Sequence, residues 1–294
     1  MQINALEPDH FSYAAPDDPR LKRIVIRAIE RMSGQPYLKH LYETNKKSPI
    51  PGENFWDAAI RLLELNIDYN EEALFPVPRK GPLVIVANHP FGVLDGIVMC
   101  HLAAKMRDDF RVLTNSVLYR AEEVRPYLIP VNFAETKEAL AANLKSRAEA
   151  RYYLKNGGCI VIFPAGAAST TPRPWDSKAV DLEWGTFSAG LIAQTRSTVL
   201  PIYFAGQNSC LFQLASHVSM TLRLSLFFKE VYDNIGAEIR IRIGKLIPFS
   251  ESEMLDRKEL MKHLRNVTYA MAPLTPDPPR PQKPRHQKCV RKIL

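Results

Sequence analysis

The chain has 294 residues, 46% of them hydrophobic and 24% charged, with a formal net charge of +8. That length suits one large α/β domain with helical additions, and the composition suits a globular protein with a sizeable core. The charge is uneven. The last 22 residues, PLTPDPPRPQKPRHQKCVRKIL, hold six Lys/Arg against one Asp and leave only about +3 for the rest.

The N-terminus, MQINALEPDHFSYAAPDDPR, is acidic and polar, which is not the pattern of a signal peptide. Residues 20–33 place Leu21, Ile24, Val25, Ala28, Ile29 and Met32 on one helical face, with Lys22, Arg23, Arg27 and Arg31 opposite. Such a basic amphipathic helix either docks its apolar face on the main domain or lies on an anionic membrane surface. A second helix is expected over 54–66. Residues 1–70 are therefore read as a helical, strand-free N-terminal segment.

From residue 80 strands and helices alternate. LVIVAN (83–88), FRVLTN (110–115), YLIPVNF (127–133), CIVIF (159–163) and STVLPIYF (197–204) read as strands, with helices over 96–106 and 137–155. The period-two patterns TLRLSLFF (221–228) and AEIRIRIGKLI (237–247) suggest half-exposed strands, and a helix over 252–268 closes the fold. Alternation of this kind predicts an α/β fold: a mainly parallel, mixed sheet flanked by helices on both faces. This domain is placed at 71–270. The Pro-rich basic tail, 271–294, is expected to be disordered; it serves either to attract anionic lipid or only to solubilise.

The window 81–100 is apolar, but His89, Pro90 and Asp95 interrupt it, so no transmembrane helix is expected. Cys100, Cys159, Cys210 and Cys289 lie far apart without metal spacing. The first three read as small buried residues and the fourth as an exposed tail residue in a reducing compartment. No metal, cofactor or nucleic-acid partner is expected, since the basic tail lacks stacking aromatics or a reading motif.

Two strand ends carry chemistry. VIVANHPFGVLDG sets His89 at the carboxyl end of a buried strand, with Gly92 free to turn the chain and Asp95 six residues on. The pair is either a base with its orienter or a turn histidine beside a helix-capping aspartate. IFPAGAASTTPRPW (162–175) opens another buried strand into a loop of small residues with Ser169, Thr170, Thr171 and Arg173. Exposed backbone N–H groups, hydroxyls and an arginine suit a phosphate, although a plain connecting loop reads equally well. VLPIYFAGQNS (199–209) ends a third strand, and ligands in such sheets bind at the carboxyl ends.

The order of these segments, GPLVIVANHPFGVLDG, GGCIVIFPAG, then DLEWGTFSAGLIAQTRSTVLPIYFAGQNSCLFQLAS, resembles the glycerolipid (lysophospholipid) acyltransferase superfamily. It looks like the hemolysin-like bacterial branch, with NHPFGxxDG in place of the commoner His-x4-Asp. The resemblance spans roughly residues 50–250. It implies that His89 is the general base and Asp95 its orienter. The base activates a lyso-lipid hydroxyl or amine toward the thioester of acyl carrier protein or coenzyme A. On the substrate side it implies Asn88, Phe91, Gly92, Phe163, Pro164, Gly166, Ser169 and Arg173, with Asp181, Glu183 and Trp184 of DLEWG as further candidates.

The chain departs from the pattern at three places. Ala165 stands where the superfamily has Glu, Ala167 stands where the branch often carries an acidic residue, and no arginine occurs at 168–172. Ala165 and Ala167 motivate an alternative, a catalytically inactive lipid-binding or regulatory member of the same fold. The resemblance also implies peripheral attachment to the inner face of the cell membrane. An acidic carrier protein could dock on Arg120, Arg125, Lys145, Arg147 and Arg151, or those charges form a solvated face.

Overall fold

The computed structural model describes residue 12 and residues 19–115, 122–132 and 136–273. Among the described residues seven strands form one sheet. They are β1 (Asn66–Asp68), β2 (Leu83–Ala87), β3 (Phe110–Asn115), β4 (Leu128–Val131), β5 (Cys159–Ile162), β6 (Thr198–Phe204) and β7 (Glu238–Ile243). Their order is β1-β7-β6-β2-β5-β3-β4, parallel throughout except where β7 meets β6.

β2 is the central element, paired with β6 on one side and β5 on the other. Its five residues are buried and its run LVIVA is continuous rather than alternating, as a strand covered on both faces requires. Leu83, Ile85 and Ala87 join the larger core cluster, whereas Val84 and Val86 join the second on the opposite face. Each such side chain contributes roughly 1.5–3 kcal/mol by burial.

α3 (Phe55–Leu62) and α4 (Val93–Met106) cover the first face. α5 (Lys137–Lys155), α6 (Phe187–Thr195) and α11 (Arg257–Ala270) cover the second. The oxygen of Thr136 accepts the Ala139 N–H to start α5, and Asn156 with Gly157 at φ 83° ends it.

The structure corrects several expectations. The N-terminal segment is not strand-free: β1 extends the sheet edge beside β7, and Trp56, Leu63 and Leu65 belong to the main core. α2 (Gln35–Lys47) also forms there. TLRLSLFF is helical, giving α8 (Met220–Ser225) and α9 (Phe227–Asp233) after α7 (Cys210–Val218). The alternation there misled because Arg223 and Ser225 are buried while Leu222 and Leu224 are only half-buried. α10 (Phe249–Ser252) stands apart from α11, which begins at Arg257 because Asp256 and Glu259 form a reciprocal cap. Cys210, at the first position of α7, is exposed rather than buried.

α1 (Arg20–Met32) packs against α8 through an edge on which Ile26 and Glu30 are buried. Its apolar stripe stays outside: Leu21, Ile24, Val25 and Met32 are all exposed. No helix among the described residues is long and apolar enough to cross a membrane. The disordered-tail expectation and Arg120 fall outside the described residues.

Candidate active site

Because β5, β2 and β6 are adjacent and parallel, the loops that follow them open on one edge of the sheet. His89 is the second residue past β2. Asn88 before it donates to the Phe204 carbonyl at 2.8 Å and accepts the Phe204 N–H at 2.7 Å, so its amide prolongs the β2–β6 pairing.

α4 begins at Val93, three residues earlier than the sequence suggests, and this places Asp95 within its first turn. Asp95 Oδ2 accepts the N–H groups of Phe91 (2.7 Å) and Gly92 (2.8 Å) and lies 3.1 Å from His89 Nδ1. The two readings of Asp95, helix cap and histidine partner, therefore belong to the same oxygen. The ring contact is close but off the line of a hydrogen bond, leaving Nδ1 and Asp95 Oδ1 both buried without one. Catalytic hydrogen bonds commonly tighten only with substrate bound. Burial pushes the Asp95 carboxyl up, while the His89 ring and the two backbone N–H groups hold it down.

Gly92 is required here on two counts. Its φ is +76°, and a Cβ would lie 2.3 Å from Phe227 Cε1. The tight turn presents the imidazole so that Nδ1 faces the carboxylate while the ring remains 18% exposed, with Nε2 on the open edge. Phe163, the first residue after β5, stacks on that ring at 4.1 Å and 27°.

The loop after β5 is tied to His89 from both sides. Ser169 N–H donates to the His89 carbonyl at 2.7 Å, and His89 N–H donates to Asp181 Oδ1 at 3.1 Å. The Ser169 hydroxyl donates to the same Asp181 oxygen at 2.5 Å, and Trp184 Nε1 donates to Oδ2 at 2.9 Å. Asp181 is buried and its carboxylate is matched by N–H and O–H donors alone. It holds His89 through the backbone N–H.

Phe163 and Ser169 thus meet His89 directly, and Phe91, Pro164 and Gly166 lie in the same two loops. Phe91 is core, against Gly206. Pro164 is buried and its carbonyl accepts Gly185 N–H. Gly166, exposed at φ +69°, closes a turn back to Phe163. The Ser169 hydroxyl is spent on Asp181. Arg173 is not brought in: it is 66% exposed and pairs with Asp176 at 3.2 Å. Glu183 is exposed as well.

Sequence reasoning missed the residues that α7–α9 bring to this loop. Arg223 Nη2 donates to Ala168 O at 2.6 Å, and Gln213 Oε1 accepts Thr171 N–H at 3.0 Å. The signal of Arg223 was hidden in TLRLSLFF by its strand-like alternation, and Gln213 lies on the preceding helix α7.

The family model described as Acyltransferase matches residues 20–273. A lyso-glycine lipid O-acyltransferase of Phocaeicola vulgatus is 25% identical over 228 residues, 72% of this chain and 78% of the relative. A protein of the same description from Bacteroides thetaiotaomicron is 24% identical over 212 residues, covering 70% and 74%. The crystal structure of the 1-acyl-sn-glycerophosphate acyltransferase PlsC from Thermotoga maritima aligns with a TM-score of 0.48 at 15% identity, over 88% of this chain and 83% of that one. With its model matched from the start of α1 to the end of α11, the chain belongs to the acyltransferase family.

Proposed function

We propose that the protein transfers a fatty acyl group from a thioester, on acyl carrier protein or coenzyme A, to the hydroxyl of a lyso-lipid at a membrane surface. The observation that carries this reading is the His89–Asp95 contact of 3.1 Å, with the opposite ring edge open beside Phe163. His89 Nε2 takes the acceptor's proton as its oxygen attacks the thioester carbonyl carbon. The C–S bond then breaks, and the leaving thiolate recovers the proton from the imidazolium. Asp95 fixes the tautomer and balances the transient charge. No covalent enzyme intermediate is needed. The names of the two curated relatives support an oxygen acceptor over an amine.

The exposed stripe of α1, with Lys22, Arg27 and Arg31 on the flanking face, supports work at an anionic membrane. Its apolar side chains gain by entering the headgroup boundary while the cations meet lipid phosphates.

Incubating the protein with labelled acyl donor and a panel of lyso-lipids tests the reading. Wild type should acylate at least one acceptor, and His89→Ala should lose about 10²–10⁴-fold in kcat. Asp95→Asn should lose activity too, with reduced stability, because its oxygen also caps α4. A folded wild type that acylates none of the panel would favour the inactive lipid-binding alternative.

A further inference from the structure

Among the described residues two arginines are buried, and they are served differently. Arg107 pairs both Nε and Nη2 with the Asp109 carboxylate at 2.7 Å, and reaches the carbonyls of Pro78, Gly81 and Gly157. That is a structural cation with matched charge. Arg223 is 9% exposed and makes one hydrogen bond, from Nη2 to Ala168 O, with its Cζ 5.6 Å from the Phe212 ring centroid. Among the described residues no carboxylate meets it, and burial alone presses its pKa down. Nε and Nη1 make no hydrogen bond and are not sealed from solvent.

A second unsatisfied donor adjoins the same loop. Gln213 is 4% exposed; its Oε1 is held by Thr171 N–H, while its Nε2 is buried with no acceptor. Leaving such donors unmatched costs free energy. Together they supply positive charge and N–H groups with no acceptor of their own, the complement of an anion.

Their position says which anion. Ala168 and Thr171 bracket Ser169, whose N–H holds the His89 carbonyl. Phe227, at the start of the next helix, lies against Gly92 in the His89–Asp95 turn. The unmatched guanidinium is thus anchored one peptide unit from the segment that holds the base.

We propose that Arg223, with Gln213 beside it, binds the acidic headgroup of the lyso-lipid acceptor, a carboxylate or a phosphate, and so sets the acceptor hydroxyl at His89 Nε2. This rests on the acyl-transfer reading, because the anion belongs to the acceptor. It makes α8 a specificity element.

Binding measured in a His89→Ala background, which cannot turn over, tests the site apart from catalysis. The probes are two matched pairs of short-chain lyso-lipids below their micelle concentrations. One is a monoacylglycerol phosphate against the monoacylglycerol, the other an N-(3-hydroxyacyl)glycine against its methyl ester. The acidic member of at least one pair should bind about tenfold to a hundredfold tighter, and the pair with the larger gap identifies the headgroup. Arg223→Gln keeps an N–H for Ala168 O, removes the charge, and should erase the gap while leaving the neutral probes unchanged. Should that variant not fold, Arg223→Lys decides, since losing the planar fork should shrink the gap several-fold. Equal binding of acidic and neutral probes, or a gap unchanged in the folded variant, overturns the site. Failure of wild type to transfer acyl groups, with the Arg223-dependent gap present, would instead sink the acyl-transfer reading alone.

Discussion

After β2 the chain turns at once into α4, and His89 meets Asp95 within seven residues. After β5 it runs from Phe163 to Thr186 before α6 begins, and its polar side chains turn inward or away. Both strands are buried, parallel and adjacent, and both end at the same sheet edge. On the proposed reading the first loop carries its own chemistry. The second is a frame: Ser169 grips His89 from one side and Asp181 from the other, and the unmatched cation beside it arrives from α8. A short loop can hold a reacting pair by local geometry, whereas a long one needs partners from elsewhere to stay in place.

The sharpest way to break this contrast is at Asp181. If the second loop positions the base, Asp181→Asn should lower kcat by about tenfold to a hundredfold, with KM for acceptor changed by less than about threefold. The asparagine keeps one accepting oxygen, so its N–H₂ must face either the His89 and Ser169 donors or the Trp184 donor, and one side of the anchor is lost. Ser169→Ala removes one of three donors and should cost less. A melting temperature that falls while kcat stays intact in the folded variant would reduce Asp181 to a stabilising residue.

The next effect lies outside both loops, on α1. Leu21→Asp with Ile24→Asp should weaken partition onto anionic vesicles by about tenfold or more. Stability should stay within about 0.5 kcal/mol, since both side chains are exposed. Activity on monomeric short-chain acceptors should be unchanged. Equal vesicle binding by the double variant would remove α1 from the membrane reading.

How far the sequence disclosed the molecule follows the same division. The buried runs at β2, β5 and β6 were legible because a strand covered on both faces is continuously apolar. The His89–Asp95 pair was legible because both partners lie in one turn, and only the boundary of α4 hid that Asp95 caps the helix and meets His89 with one oxygen. β1 was not legible, being a three-residue edge strand whose pairing partner β7 lies far along the chain. Nor was α8. Its period-two text assumes that polar residues face water, and Arg223 and Ser225 are buried instead. The role of Asp181 was equally hidden, since a carboxylate that acts through backbone N–H groups leaves no side-chain motif.

Arg173 gives the smallest effect and the finest test of the comparison. By resemblance it is the arginine available to the second loop, yet it points outward, salt-bridged to Asp176 and near the Trp175 ring. An exposed ion pair of this kind contributes about 0–1 kcal/mol. Arg173→Ala should therefore change kcat/KM for an acidic acceptor by less than about threefold, whereas Arg223→Gln changes it by tenfold or more. The two variants remove the same charge from opposite sides of one loop, so net electrostatic attraction of an acidic lipid should affect them alike. Only a specific contact separates them. Equal losses would assign the effect to the overall field of the basic face; a larger loss at Arg173 would mean that the loop rearranges to bring its own arginine inward when the acceptor binds.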